Sequence, residues 1–300
     1  MLTLEQLRRQ VESARDFHSI TRAMKALAAV RIRRSREAVE SLESYARSVE
    51  LGFQIALRDQ PRAFPLVEER VGPEVGAVVF GSDLGLAGRF NIRIADFALE
   101  RLDTLHPDRG TRTVLAVGSR VASQLEAQGQ PVAEKFAAPD SVDAVVPTVQ
   151  ELLVAIQATR AHHGLERFFL FYNHYHSGAT YRPHLVHLLP INLEWLEGLR
   201  ARPWSTPVLP TFRVPWRQLF ASLVREHLFV SLFAAAARSQ ASENASRLAS
   251  MEAAERRIEE RLADLRERFN RRRQDGITAE LMDLVTGFLA LEEEGEEGAT

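Results

Sequence analysis

Three groups of residues in this chain have types and spacings that could do chemistry. The first is Gly81-Ser82-Asp83-Leu84-Gly85-Leu86-Ala87-Gly88, which follows the apolar run Val78-Val79-Phe80 and leads through Asn91 into a helical pattern. A strand passing through glycines into a helix is where α/β proteins hold phosphates. The spacing argues against that use. A GxxxxGK[ST] loop is absent, and GxGxxG fails because position 83 is an aspartate, whose charge repels a phosphate. The stretch reads instead as a tight corner in which Ser82 or Asp83 caps the helix that follows, so no direct nucleotide binding and no cofactor are expected.

The second group is His174, His176, His184 and His187. On a strand His174 and His176 share a face, and a turn at Ser177-Gly178 brings His184 toward them, a conceivable metal site. No acidic residue lies within the span to complete it, so the expectation is strand-packing histidines and no metal.

The third group is arginine. Of the 38 Lys and Arg residues only Lys25 and Lys135 are lysines, and arginines concentrate in Arg31-Ile32-Arg33-Arg34-Ser35-Arg36 and in RERFNRRR at residues 266–273. Such runs can bind nucleic acid. Here glutamates alternate with them and the chain carries a formal charge of -2, which favours a collar facing protein, with no nucleic-acid partner. In an antiparallel helix pair the two runs are expected at comparable heights, as one basic belt. The absence of cysteine excludes disulfides, thiolate metal sites and a thiol nucleophile.

The elements that position these groups follow from patterning. A chain of 300 residues, 45% apolar and 26% charged, is long enough to bury a core. Its first residues show no apolar signal region, and no window of about 18 uninterrupted apolar residues suggests a membrane span; a cytoplasmic setting is expected. The first 60 residues lack proline and keep a heptad: Leu4, Leu7, Val11, Ala14, His18, Thr21, Lys25, Ala28, Ile32, Ser35, Val39, Leu42, Ala46, Val49, Phe53 and Ala56. That seam, apolar except at His18, Thr21, Lys25 and Ser35, is the signature of a left-handed coiled coil. A second stripe, Ile20, Met24 and Leu27, faces away from it.

A second seam starts at Trp216 after Pro215 and runs to Arg272, apolar except at His227, Asn244, Glu255 and Arg272. At 1.5 Å rise per residue the two helices would measure roughly 85 and 110 Å. Paired antiparallel, the second has about 15 to 20 residues to spare, a protrusion of roughly 25 Å. The spare part, residues 277–291, is among the most apolar stretches of the chain, and an apolar rod tip needs a partner to bury it.

Residues 61–214 read as an α/β unit, with strands expected at 75–80, 113–117, 167–172 and 185–189 and helices at about 88–105, 119–128 and 141–162. Their alternation predicts a Rossmann-like domain with a mainly parallel sheet. The expected organisation is therefore a coiled-coil helix (1–60), the α/β domain (61–214), a second coiled-coil helix (215–291) and an acidic tail (292–300). From the residues alone, a coiled-coil adaptor and a nucleotide-binding α/β enzyme with helical arms both remain open.

Four stretches, in order along the whole chain, resemble the γ subunit of F-type ATP synthases. ITRAMKALAA at 20–29 with the arginines after it resembles that family's IT-x-AM-x-x-VAA, and GSDLGLAGRFN at 81–91 resembles its SDRGLCGGLN. ASENASRLASM at 241–251 resembles SE-x-x-ARM-x-AM, and NRRRQDGITAEL at 270–281 resembles N-x-x-RQ-x-x-IT-x-EL. The resemblance implies a non-catalytic rotor shaft, coupling ion-driven rotation of the membrane ring to the catalytic sites of a ring of α and β subunits. It further implies contacts with the ε subunit and the ring of c subunits, and a peripheral place on the cytoplasmic face of the bacterial inner membrane. By the same resemblance Met24, Lys25, Arg33, Arg34, Arg247, Arg273, Gln274, Thr278, Leu281, Val285 and Phe288 would meet the α/β ring, while Gly81, Ser82, Asp83, Gly85, Gly88 and Asn91 would form a structural loop. Leu84, Ala87, Arg89-Phe90, Asp275-Gly276 and the acidic end depart from the family pattern and point to a divergent branch, such as an alternative bacterial ATPase that moves protons or sodium.

Overall fold

The computed structural model describes residues 3–58, 74–165, 167–178, 180–204 and 207–297; the side chains of residue 163 and of residues 288–297 fall outside that description. In chain order the elements are α1 (Leu4–Arg58), β1 (Val75–Phe80), α2 (Phe90–Leu105), β2 (Arg112–Val117), α3 (Ser119–Ala127), β3 (Glu134–Phe136), α4 (Val145–His163), β4 (Arg167–Ser177), β5 (Thr180–Leu189), α5 (Leu193–Ala201) and α6 (Trp216–Glu297). The chain divides into two compact units, Met1–Ala26 with Met251–Thr300, and Leu27–Ser250.

In the first unit α1 and α6 pair antiparallel. Leu7 and Val11 are buried against Leu262 and Leu265, with Ala14, Ile258 and Phe269 packed around them. These are the seam positions of both heptads, so one apolar stripe per helix is enough to close the pair. Residues 270–287 of α6 are all exposed.

The second unit is built on a five-stranded sheet of order β3-β2-β1-β4-β5. β1 pairs parallel to β2 and to β4, β2 pairs parallel to β3, and only β4 and β5 are antiparallel. All six residues of β1 are buried, as expected of a central parallel strand covered on both faces. Its alternate side chains serve two cores. Val75, Ala77 and Val79 pack with α2 and α3 residues such as Ile94, Ala98, Val121 and Leu125. Val78 and Phe80 pack with α4 and with Phe53, Leu57, Phe220, Leu232 and Ala236 of the long helices. Phe53, Phe168, Phe171 and Phe220 are fully buried, each stabilising the fold by about 1.5–3 kcal/mol.

Several expectations shift. β3 has no periodicity to reveal it, since two of its three residues are exposed. α5 is a short helix whose signal is its cap, Asn192, which accepts a hydrogen bond from the Trp195 amide. β5 begins at Thr180, earlier than 185, and carries Pro183 on the sheet edge, where a missing N–H costs nothing. The acidic residues 292–297 continue α6 as helix, where the sequence places its end at 291. One 18-residue window of α6, of mean hydropathy 1.5, has the composition of a membrane span; the apolar side chains of α6 from Phe220 to Ala237 nevertheless lie in the chain's own core.

Candidate functional site

The glycine corner is closed by its own side chains. The Ser82 amide donates to Asn91 Oδ1 at 2.9 Å, and Asn91 Nδ2 donates to Ser82 Oγ at 2.9 Å. Asp83 does not cap the following helix as expected. Its Oδ1 accepts from the Ser119 amide at 2.6 Å, at the start of α3, and its Oδ2 accepts from the Ala138 amide at 2.7 Å; α2, with Arg89 at its N-cap position, has no side-chain cap. The carboxylate thus lies at the N-terminus of α3, where its charge suits the helix dipole. Gly81 is required by close approach, since a Cβ there would lie 2.3 Å from Val121 Cβ. Gly88 has φ +56, and its missing side chain makes room for Ser246 and Ser250 of α6. Gly85 is under no such constraint, its nearest outside atom being Arg120 Nη2 at 3.8 Å.

The second feature is what fills the crevice beyond the carboxyl ends of β1 and β4. In a doubly wound sheet this is the switch point where ligands bind. Here α6 fills it with small polar residues. Ser242 Oγ donates to the Asn173 carbonyl at 2.8 Å, Ser246 Oγ donates to the Ala87 carbonyl at 2.6 Å, and Tyr181 Oη lies 3.3 Å from Ser246 Oγ. Gln240 Nε2 donates to the Pro139 carbonyl at 3.0 Å, and its Oε1 accepts from Ser35 Oγ of α1 at 2.7 Å. Arg247 is buried, donating to Glu243 Oε1 at 2.6 Å, Asn244 Oδ1 at 3.2 Å and the Gly85 carbonyl at 3.4 Å. Burial raises the Glu243 carboxyl above its ordinary range, and the Arg247 guanidinium opposes that rise. The sequence does not announce these residues as a clamp, although Ser242, Ser246 and Ser250 at four-residue spacing mark one helix face with room for a close neighbour.

The remaining residues face outward. Ile20 and Leu27 are about half exposed and Met24 is intermediate, while Thr21 is buried, so the stripe does turn away from the seam; Phe17 and Val30 extend it. Arg33 is exposed and paired with Glu37 at 2.7 Å, and Arg34 is exposed. Arg273, Gln274, Thr278, Leu281 and Val285 are all exposed on α6; the side chain of Phe288 lies outside the described residues. Arg247 differs from this set in being held inside the chain. The two arginine runs belong to different compact units, residues 31–36 to the second and residues 266–273 to the first. Ser35 lies against Gln240, whereas Arg266, Phe269 and Asn270 line a cleft with Arg8, Val11, Glu12 and Arg15.

The histidines assemble as the hairpin suggests. The His174 ring lies 5.2 Å from His176 and 5.9 Å from His184, centroid to centroid. His187 is on the other face, against Phe169 at 4.9 Å. Burial, together with the charge of Arg238, lowers the pKa of both His174 and His184.

A family model described as ATP synthase matches residues 3–291. A protein named ATP synthase gamma chain from Anaeromyxobacter dehalogenans strain 2CP-C is 31% identical over 300 residues, covering 97% of this chain and all of the relative. Another of that name, from Syntrophus aciditrophicus, is 29% identical over 302 residues, covering 97% and 99%. Among solved structures, a chain of the Euglena gracilis mitochondrial ATP synthase (OSCP/F1/c-ring) aligns with a TM-score of 0.61 at 16% identity, covering 96% of this chain and 94% of that one. A chain of the Tetrahymena thermophila mitochondrial ATP synthase central stalk and c-ring aligns with a TM-score of 0.57 at 21% identity, covering 78% and 99%. These last two likenesses concern the fold.

Proposed function

The chain belongs to the ATP synthase γ-chain family, and from that membership we propose how its own residues perform the work of a central rotor shaft. Its partners are the α/β ring, the ε subunit and the c-ring rotor, and its place is peripheral to the membrane, on the cytoplasmic face of the bacterial inner membrane. It contributes no catalytic residue. Turning of an asymmetric helix pair presents a different face to each catalytic site in succession and biases each between open and closed states.

The observation that carries this reading is the exposed apolar run of α6 beyond its last α1 contact: Ile277, Leu281, Met282, Leu284 and Val285 are 51–70% exposed. Apolar surface of this kind is covered by a partner. Leu281, Val285 and Phe288 are the proposed bearing surface in the α/β ring, with Arg273, Gln274 and Thr278 at its entrance. Met24, Lys25, Arg33 and Arg34 are proposed to meet the ring from α1. Arg247, by contrast, serves the chain internally by holding the Gly85 corner to α6. The clamp in the sheet crevice fixes the α/β domain to the helix it must turn with.

The test is co-expression with ATP synthase α and β subunits from the same source. The chain is expected to co-purify at one copy per three β subunits, and removal of residues 277–300 is expected to weaken assembly or coupling. A full-length chain that stays monomeric and separate from the ring would overturn the reading, and undiminished coupling after truncation would remove the bearing role of the tip.

A further inference from the structure

In the first unit the apolar seam is interrupted by His18 and Lys25 on α1 and by Glu255 on α6, all at positions the heptads turn inward. Such residues cost stability unless they find partners. His18 Nε2 lies 3.3 Å from Glu259 Oε1 and 3.9 Å from Glu255 Oε1, and Lys25 Nζ pairs with the other oxygen of Glu255. Glu255 and Glu259 are four residues apart, on one face of α6. Among the described residues this is the one group in which three such side chains bring their ligand atoms within reach of a common ion.

We propose that His18, Glu255 and Glu259 form a transition-metal site of the zinc class that bridges α1 and α6. Bonds of about 2.1 Å in a tetrahedral arrangement separate ligand atoms by about 3.4 Å; the two distances from His18 are 3.3 and 3.9 Å, and all three ligand atoms lie within 4.8 Å of one another, so binding needs a small inward adjustment of the carboxylates. One nitrogen and two carboxylates select Zn²⁺, Co²⁺ or Ni²⁺ over Ca²⁺ and Mg²⁺, which favour all-oxygen sites. The His18 and Glu255 side chains are only 25% and 14% exposed, whereas Glu259 is 59% exposed, so the fourth position opens to water on the Glu259 side.

Lys25 fits the site as a supporting group. Its ammonium takes Glu255 Oε2 and leaves Oε1 directed at His18, as hydrogen-bond partners of ligating carboxylates do. Two carboxylates and one ammonium leave a net charge of one negative for the incoming dication. A metal here would fix the register of the two helices by a bond to each, independently of the partners proposed for the chain.

The full-length chain, stripped with chelator, should bind one equivalent of Zn²⁺ by calorimetry, and Co²⁺ in its place should give the intense visible bands of a tetrahedral ion. His18→Ala should lose more affinity than the 10–100-fold typical of an outer partner. Glu259→Gln, at an exposed position that leaves folding intact by circular dichroism, should weaken binding and change the Co²⁺ spectrum. An absence of Zn²⁺ binding would overturn the proposal and leave an ion-pair network alone. Binding that survives His18→Ala but is lost in His174→Ala/His176→Ala would also overturn it, by moving the site to the histidines of β4 and β5.

Discussion

Two segments of α6 invert the usual relation between polarity and burial. Residues 239–247 include Ser239, Gln240, Ser242, Glu243, Asn244, Ser246 and Arg247, and every one is buried. Ile277, Leu281, Met282, Leu284 and Val285 are apolar, and every one is exposed. The difference lies in the partner each segment meets. The first meets turn and strand-end carbonyls of its own chain, Ala87, Asn173 and Pro139, and a buried carbonyl must be given a donor. Among the described residues the second has no cover, so its apolar character is read as complementary to a surface elsewhere.

The largest test of this comparison is Arg247→Ala, which leaves Glu243 buried without its cation. A loss of about 3–5 kcal/mol of stability is expected in chemical denaturation, and Glu243→Gln in the same chain should recover part of it. A loss below 1 kcal/mol would mean that the polar segment is not held as described.

Next is His227, a polar residue of α6 caged by Trp195 at 4.7 Å and Phe53 at 6.1 Å. Burial pushes its pKa down from 6.5 to about 4. Because the folded value is the lower one, the unfolded chain takes up this proton first. The contribution is full above pH 6.5 and is lost as pH falls toward 4, by up to about 3 kcal/mol. His227→Phe should flatten the fall in denaturation midpoint between pH 7 and pH 4.5; an unchanged slope would assign it to other groups.

Ser246→Ala should cost about 1–3 kcal/mol by leaving the Ala87 carbonyl buried without its donor, readable as a lower Tm of the full-length chain. Smallest is the tip. Leu281→Asp with Val285→Asp should alter the stability of the isolated chain by no more than about 0.5 kcal/mol, while reducing co-purification with the α/β ring. If the double variant destabilises the isolated chain strongly, the tip packs on the chain itself and the contrast with residues 239–247 fails.

Legibility in the sequence followed the physics of each part. The seams around Leu7, Val11, Leu262 and Leu265 were readable because coiled-coil burial is periodic, and β1, β2 and β4 because continuous apolar runs mark strands covered on both faces. β3 was not, because its pairing is by backbone and its side chains are mostly exposed. Asp83 was recognisable as incompatible with phosphate. That it serves Ser119 and Ala138, which are 36 and 55 residues distant, depends on tertiary closure that spacing does not encode. The clamp was invisible because serines on a helix ordinarily mark solvent.

The filling of the sheet crevice by α6 also sets an order of events in biosynthesis. A ribosome delivers β1, β2 and β4 long before residues 239–247, so the nascent α/β domain waits with the carbonyls of Ala87 and Asn173 lacking their serine donors. Domains generally form as units during synthesis; this one is completed only by a segment encoded more than 60 residues after Asn173. A chain interrupted before residue 242 therefore has an unfinished core, with the Asn173 and Ala87 carbonyls still lacking the donors that Ser242 and Ser246 bring.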